Sequence, residues 1–241
     1  MSGAVPHTAM VLAAGLGKRM RPITDTMPKP LVPIAGKPLL DRGLDALAAA
    51  GVTRAVVNVH HFPDQIRSHL AGRKSPVIEI SDESAALLDS AGGIVKALPH
   101  LGDTPFYLLN SDSFWVEGAR PNLEWLADAW RDDNMDALLM LASTVRAVGY
   151  HGRGDFQMDP TGRLTRRPER QVAPFAYAGA AILHPRLFVG RKAEPFSLNE
   201  LFNQAVEAGR LYGMRMDGLW LHVGTPEAIG EAEHSIADSA A

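Results

Sequence analysis

The sequence predicts an α/β fold: a Rossmann-like, doubly wound, mostly parallel sheet with helices on both faces, forming a single domain over residues 1–241. Apolar runs of strand length alternate with stretches of helical period, in the order strand, helix, strand, helix, strand from Thr8 to Ile80. The first run ends in a glycine-rich loop, as a buried parallel strand does. No repeat, low-complexity linker or composition break divides the 241 residues, and 46% hydrophobic residues suffice for a substantial core.

The elements follow in order. Thr8 to Ala13 is a buried strand, and Pro38 to Ala50 repeats apolar residues at spacings of three and four before Gly51 stops the helix. Arg54 to Val59 reads as a strand, Pro63 to Leu70 as a short helix, and Val77 to Ile80 and Phe106 to Asn110 as strands. Leu123 to Trp130 reads as a helix capped by Asn122, and Ala137 to Ala142 and Tyr177 to Leu183 as strands. Leu198 to Ala208 and Thr225 to Ile236 close the chain as helices. The stretch 148–174, rich in Gly, Arg and Pro, reads either as a hairpin inserted over the ligand site or as a surface excursion.

Charge and composition exclude several classes. Lys plus Arg total 24 against 27 Asp plus Glu, so a net charge of −3 supplies no global field for nucleic acid or an anionic membrane. Zero cysteines exclude a disulfide scaffold, a thiolate nucleophile and a Cys-ligated metal, and they agree with a reducing compartment, so the cytoplasm is the expected location. No run is long enough to span a membrane, and Met1 to His7 lack the charged start and apolar stretch of a secretory signal.

The strongest signal follows the first strand: Leu12-Ala13-Ala14-Gly15-Leu16-Gly17-Lys18-Arg19-Met20-Arg21-Pro22, then Pro28-Lys29-Pro30-Leu31. Glycines there let backbone N–H groups approach phosphate oxygens, and Lys18, Arg19, Arg21 and Lys29, the last expected as an exposed loop lysine, crowd cations at the same mouth. The spacing fits neither a P-loop nor a dinucleotide fingerprint, which needs glycine where Met20 stands. Asp112, just past the strand ending at Asn110, stands where a magnesium ligand would be in such a sheet, although an Asp after a strand also serves as a turn former. Ala91-Gly92-Gly93 reads as a turn that could let a flat base lie against the backbone.

Together these residues resemble the sugar-1-phosphate nucleotidyltransferase family, whose signature is similar to LAAGxGxRMxPxT followed by PKPL. The resemblance covers nearly the whole chain, including Asp112, Ala91 to Gly93, Tyr177-Ala178-Gly179 and the closing Trp220-Leu221-His222-Val223-Gly224-Thr225-Pro226. The segment His151 to Phe156 most resembles the branch that joins UTP to N-acetylmuramate 1-phosphate in peptidoglycan recycling. Longer relatives carry a carboxy-terminal β-helix of hexapeptide repeats, which is not expected here.

The resemblance implies partners and roles. The partners are a nucleoside triphosphate and a sugar 1-phosphate, with magnesium as cofactor and manganese expected to serve at least as well. Arg19 and Lys29 would hold the triphosphate and the leaving pyrophosphate, and Leu12, Ala13, Ala14, Gly15, Gly17, Lys18, Gly92 and Gly93 would frame the nucleotide, with Glu83 and Asp89 nearby. The sugar phosphate would lie toward Asn110, Arg153, Asp155, Tyr177 and Gly179, where Tyr177 could equally be an interior strand residue. Asp112 would bind the metal. The family usually has a second carboxylate where this chain has His222, which could ligate the metal, hold a metal-bound water or phosphate, or fill space. Two alternatives stay open: GTP with mannose or heptose 1-phosphate, and a non-catalytic sugar-nucleotide sensor, which would be expected to lose Arg19, Lys29 or Asp112. All three are present. Oligomeric state is not legible.

Overall fold

In a computed structural model, which describes residues 5–239, the chain begins with β1 (Thr8–Leu12), a short ribbon of β2 (Pro33–Ile34) and β3 (Lys37–Pro38), and α1 (Leu39–Ala49). β4 (Arg54–Val59), α2 (Pro63–Leu70), β5 (Val77–Asp82), α3 (Asp89–Leu101), β6 (Phe106–Asn110) and β7 (Ser113–Glu117) follow. Next come α4 (Asn122–Ala129), β8 (Ala137–Ser143), β9 (Phe156–Met158), β10 (Leu164–Arg166) and β11 (Phe175–Leu183). The last elements are α5 (Leu198–Glu207), β12 (Leu211–Arg215), β13 (Gly218–His222) and α6 (Glu227–Ser239). Residues 1–4, part of the stretch read for a secretory signal, lie outside the described residues. Among the described residues no helix is long and apolar enough to cross a membrane.

One nine-stranded sheet organises the molecule, with β5, β4, β1 and β6 adjacent and parallel. β11 then pairs antiparallel with β6 and with β8, and β12 lies parallel to β8. The sheet is therefore mixed beyond β6. Within 148–174, β9 and β10 pair as a short hairpin, which joins the sheet through Phe156 beside Phe175.

Period-two burial explains the helices on both faces. Ala9 and Val11 of β1, Val57 and Val59 of β4, and Tyr107 and Leu109 of β6 bury against Leu44 and Leu47 of α1, Ile66 of α2 and Leu126 of α4. Their neighbours Met10, Val56, Phe106 and Leu108 point the other way, against Ile94 and Ala97 of α3 and Leu201 and Phe202 of α5. A third cluster of Met20, Val32, Ile34, Phe114, Leu221, Val223 and Ala232 clamps the first loop to β7, β13 and α6.

Two local expectations are corrected. Asn122 is the first residue of α4 and not its cap; the backbone N–H of Asn122 donates to Glu117 Oε2. Its buried amide clamps the β12–β13 turn, donating to the Asp217 carbonyl and accepting from the Asp217 N–H at 2.7 and 2.8 Å. Gly92 and Gly93 are not a turn but lie near the start of α3, which follows a positive φ at Asp89.

Candidate active site

The chain runs from β1 outward through β4 to β5 and then returns to β6 on the other side of β1, so the strand order reverses between β1 and β6. The carboxyl ends of strands at such a point leave a crevice for a ligand. Leu12 of β1 stands beside Asn110 of β6, and a cleft of about 290 Å³ opens there. Leu12, Ala13, Ala14, Gly15, Gly17, Lys29, Asn110 and Asp112 line it, together with Asn58 from β4 and Asp89 and Ser90 from the start of α3.

The two glycines of the first loop do different things. Gly17 has φ +61, and a Cβ there would lie 2.9 Å from the Thr24 methyl and 3.2 Å from Lys29 Cβ. The buried Thr24 hydroxyl donates to the Gly17 carbonyl at 2.8 Å, so this turn is locked against the segment that carries Lys29. A Cβ at Gly15, by contrast, would meet nothing within 4 Å, and this glycine lines the cleft. Its open side is therefore room for a ligand close to the backbone. Gly17→Ala should lower thermal stability by about 1–3 kcal/mol, the cost of a strained left-handed residue. Gly15→Ala should leave stability unchanged and raise the KM of a substrate that lies on this loop; thermal denaturation and steady-state kinetics on both variants separate the two roles.

Lys29, Asp112, Arg19 and His222 form the charged centre. Pro28 and Pro30 flank Lys29 in a fixed turn, and the lysine is buried, only 9% exposed, against the expectation of an exposed loop side chain. Its Nζ lies 3.3 Å from Asp112 Oδ2. Burial pulls the Lys29 ammonium below the ordinary lysine range, and the Asp112 carboxylate partly offsets this. Burial would raise Asp112, but Lys29, His222 and Arg19 outweigh it and hold the carboxyl below its usual range. His222 reaches Asp112 through the β7–β13 ribbon: His222 pairs with Ser113, and the Val223 N–H donates to the Asp112 carbonyl at 3.0 Å. Its ring packs on Trp220 at 5.5 Å and edge-on to Tyr150 at 6.2 Å. Burial, helped by Lys29 and Arg19 and opposed by Asp112, lowers the imidazole pKa and favours the neutral ring. Gly224 makes space for this grouping, since a Cβ there would lie 2.8 Å from His222 Nε2 and 3.4 Å from Arg19 Nη1. Lys18 and Arg19 are exposed on the short turn Lys18–Met20.

The other residues expected at the site scatter more. Gly179, at φ +82, interrupts the β8–β11 register, and a Cβ there would meet Ser113 Oγ at 2.4 Å and Asn110 Cβ at 3.2 Å. This close approach keeps Asn110 at the cleft. Both the Ser113 hydroxyl and Trp220 Nε1 donate to the Ala178 carbonyl, which fixes the bulge. The Tyr177 hydroxyl is buried with no hydrogen-bond partner among the described residues, and burial with the nearby Asp112 charge raises its pKa. The ring itself packs edge-on to Phe202 at 5.8 Å, and its orphaned buried hydroxyl is a polar group in want of a partner. Asp155 uses one carboxylate oxygen on the Tyr177 N–H at 2.9 Å. Arg153 is exposed, and its backbone carbonyl anchors Ala173. Gly92 and Gly93 do not line the cleft: a Cβ on the first would strike the Glu194 carbonyl and on the second Glu83 Oε1.

Sequence reasoning missed Thr24, Asn58, Arg166 and Arg167. The two arginines border a hollow with Gly154, Asp155, Asn199 and Asn203; Arg166 is held by Asn199 and Asn203, and Arg167 by the carbonyls of Gly154 and Gln171. Arg-Arg at the end of a strand carries no spacing that marks it, and only the folded hairpin brings it to Gly154.

A cleft at the sheet's switch point with open loop backbone, cations and one strand-end carboxylate has the chemistry that suits a polyphosphate ligand. The chain belongs to the nucleotidyl transferase family, whose model matches residues 8–239. It is 43% identical over 97% of its length to an N-acetylmuramate alpha-1-phosphate uridylyltransferase of Caulobacter vibrioides, covering 98% of that protein, and 34% identical to one of Neisseria meningitidis, covering 96%. A mannose-1-phosphate guanyltransferase of Hypocrea jecorina is 31% identical over 90% of this chain but 61% of its own. Among solved structures, the inositol-1-phosphate CTP transferase from T. maritima superposes with a TM-score of 0.75 at 19% identity, covering 96% of this chain and 98% of its own. HddC from Yersinia pseudotuberculosis gives 0.77 at 20%, over 95% and 99%. These two confirm the fold.

Proposed function

We propose that the cleft transfers a uridylyl group from UTP to N-acetylmuramate 1-phosphate, forming UDP-N-acetylmuramate and pyrophosphate. The observation that carries the chemistry is the buried Lys29 within 3.3 Å of Asp112, beside Arg19 and the open face of Gly15. The identity of the two substrates follows the uridylyltransferases of Caulobacter and Neisseria.

A sugar 1-phosphate is largely a dianion at neutral pH, since the second pKa of a phosphate monoester is about 6, so it attacks the α-phosphorus without a general base. Bond formation to the α-phosphorus breaks its bond to the β-phosphate bridge, and pyrophosphate leaves with the electron pair. The protein's task is alignment and charge neutralisation. Ala13, Ala14 and Gly15 hold the nucleotide against the loop, while Lys29 and Arg19 stabilise charge on the triphosphate and on the leaving pyrophosphate. Asn110, Gly179, Tyr177 and Asp155 face the sugar side, and the orphaned Tyr177 hydroxyl finds its partner there.

The residues also fit magnesium. Among the described residues there is no cluster of three or more His, Cys, Asp or Glu, which a site enclosed by protein would need. Magnesium commonly takes one or two carboxylates and leaves its other positions to water and substrate phosphates. Asp112 would supply the carboxylate, and neutral His222 beside it would hold a water or phosphate oxygen. A bound magnesium ion neutralises phosphate charge. His222→Asp should tighten magnesium binding by titration calorimetry, and His222→Ala should lower activity with an unchanged melting temperature; full activity and the same metal dependence in His222→Ala would make the residue structural.

Arg153 is the candidate partner for the lactyl carboxylate that distinguishes N-acetylmuramate from N-acetylglucosamine, because a guanidinium binds a carboxylate in two-pronged fashion. Its side chain is exposed and makes no ion pair among the described residues. Arg153→Ala should raise KM for N-acetylmuramate 1-phosphate by about tenfold, the loss of one charge-assisted pair, and leave N-acetylglucosamine 1-phosphate unaffected. Equal losses for both substrates would remove this role.

The test of the whole reading is a matrix of UTP, GTP, CTP, ATP and dTTP against the 1-phosphates of N-acetylmuramate, N-acetylglucosamine, mannose and glucose, scored by pyrophosphate release. The pair of UTP and N-acetylmuramate 1-phosphate should give the highest kcat/KM. A higher value for GTP with mannose 1-phosphate would overturn the substrate assignment, and silence across the matrix would overturn catalysis.

A further inference from the structure

Three neighbouring parallel strands each end in a residue of one buried polar chain. Past β1, the Ala13 N–H donates to Asn58 Oδ1 at 2.7 Å; from the end of β4, Asn58 Nδ2 donates to Glu83 Oε1 at 2.7 Å; just past β5, Glu83 Oε2 accepts from the Leu88 N–H at 3.1 Å. Ala13, Asn58 and Glu83 are 1%, 2% and 1% exposed. The backbone holds Glu83 in register, its N–H donating to the Val59 carbonyl at 2.8 Å. Gly93 is the space this chain occupies, because a Cβ there would lie 2.5 Å from Glu83 Oε1 and 2.9 Å from Asn58 Nδ2.

A buried carboxylate costs stability that an apolar side chain of equal volume would not, so its presence calls for a reason other than packing. The reason is direction. Both Glu83 oxygens accept, one from the Asn58 amide nitrogen and one from the Leu88 N–H, and with its nitrogen turned to Glu83 the Asn58 amide presents its oxygen to Ala13. The Ala13 N–H, which has left the β1 ladder, then has one place to donate. Its orientation sets the start of the loop that continues through Ala14 and Gly15 along the cleft.

We propose that Asn58 and Glu83 are positioning residues for nucleotide binding, acting through the Ala13 amide to fix the loop on which the nucleotide lies. This inference rests on the proposal that the Ala13–Gly17 loop receives the nucleotide. It also assigns Gly93 a place behind that loop, making room for Glu83.

Reversing the polarity of the chain tests it. Glu83→Gln sets a donor against a donor somewhere along the chain, and Asn58→Asp sets two carboxylates face to face. The double variant Asn58→Asp/Glu83→Gln restores every partner: the new carboxylate accepts from Ala13 and from the new amide, whose oxygen accepts from Leu88. Steady-state kinetics with UTP, N-acetylmuramate 1-phosphate and magnesium, with melting temperatures alongside, give the readout. Each single variant should raise the UTP KM by about tenfold or more, as an unsatisfied buried amide donor implies, with the KM for the sugar phosphate unchanged. The double variant should return the UTP KM to within about threefold of the parent. Single variants that melt lower and turn over more slowly but keep the parent UTP KM would overturn the proposal, since they would show a structural role alone. A folded double variant with a UTP KM still raised tenfold would overturn it too, and that variant decides the matter if a single variant fails to fold. Parent turnover with UTP reports separately on the function proposed above; were another nucleotide preferred, the same ratios would be taken with that nucleotide.

Discussion

Lys29→Ala is expected to lower kcat by about 10²–10³, the usual effect of removing one preorganised charge from a transition state. The lysine is buried against Asp112, so its loss also strands a half-buried carboxylate and should cost about 1–3 kcal/mol of stability. The two effects separate by measurement: the variant should melt lower yet remain folded at assay temperature, and its rate deficit should persist there. Lys29→Met, which keeps the aliphatic stem, should recover part of the stability and none of the rate. Turnover within a few-fold of the parent in a folded variant would remove Lys29 from the reaction.

Asp112→Asn should have an effect at least as large. The substitution keeps the shape but turns one acceptor oxygen into a donor amide and removes the negative charge around which Lys29, Arg19 and His222 gather. With Lys29 and Arg19 left unneutralised, Lys29 should fall further below the usual lysine range, since its carboxylate partner is the main influence opposing burial. We expect kcat to fall by about 10³ or more and the magnesium dependence of nucleotide binding to disappear. Calorimetric titration of UTP with and without magnesium reads the second effect apart from activity. Parent-like enhancement of UTP affinity by magnesium in Asp112→Asn would place the metal elsewhere.

Much of this architecture is legible in the sequence for one physical reason. Strands buried on both faces read as unbroken apolar runs, so β1, β4, β6 and β8 stand out, and the alternation with helical period implies helices on both sides. The loop after β1 is legible because its glycines, cations and prolines crowd a short stretch. What was hidden is of two kinds. α3 is masked because Gly92 and Gly93 near its start and Pro99 near its end are helix-poor residues kept for packing, the glycines by the Glu194 carbonyl and by Glu83. Long-range polar partners are masked because nothing in their spacing announces them: Thr24 holds Gly17 and Asn58 holds Ala13 only once neighbouring segments come together. Asp112 and His222 were each singled out, yet their meeting depends on the register of β13 against β7, a ribbon too short to show a period. Lys29 lines the cleft, but its burial is not legible, because a proline-flanked lysine in a loop reads as solvated until Asp112 is brought against it.

The central claim is direct transfer: the loop, Lys29 and Arg19 align two phosphates and neutralise them, Asp112 would hold the magnesium ion, and no side-chain nucleophile takes part. A chain with no cysteine and no hydrolase-like Ser-His-Asp order agrees with this. The most direct measurement is a rapid-quench time course of pyrophosphate formation from UTP and magnesium on enzyme in excess, with and without N-acetylmuramate 1-phosphate. The account predicts that pyrophosphate forms only when the sugar phosphate is present, in step with UDP-N-acetylmuramate. A burst of pyrophosphate without the sugar phosphate, leaving uridylyl groups on the protein, would contradict it.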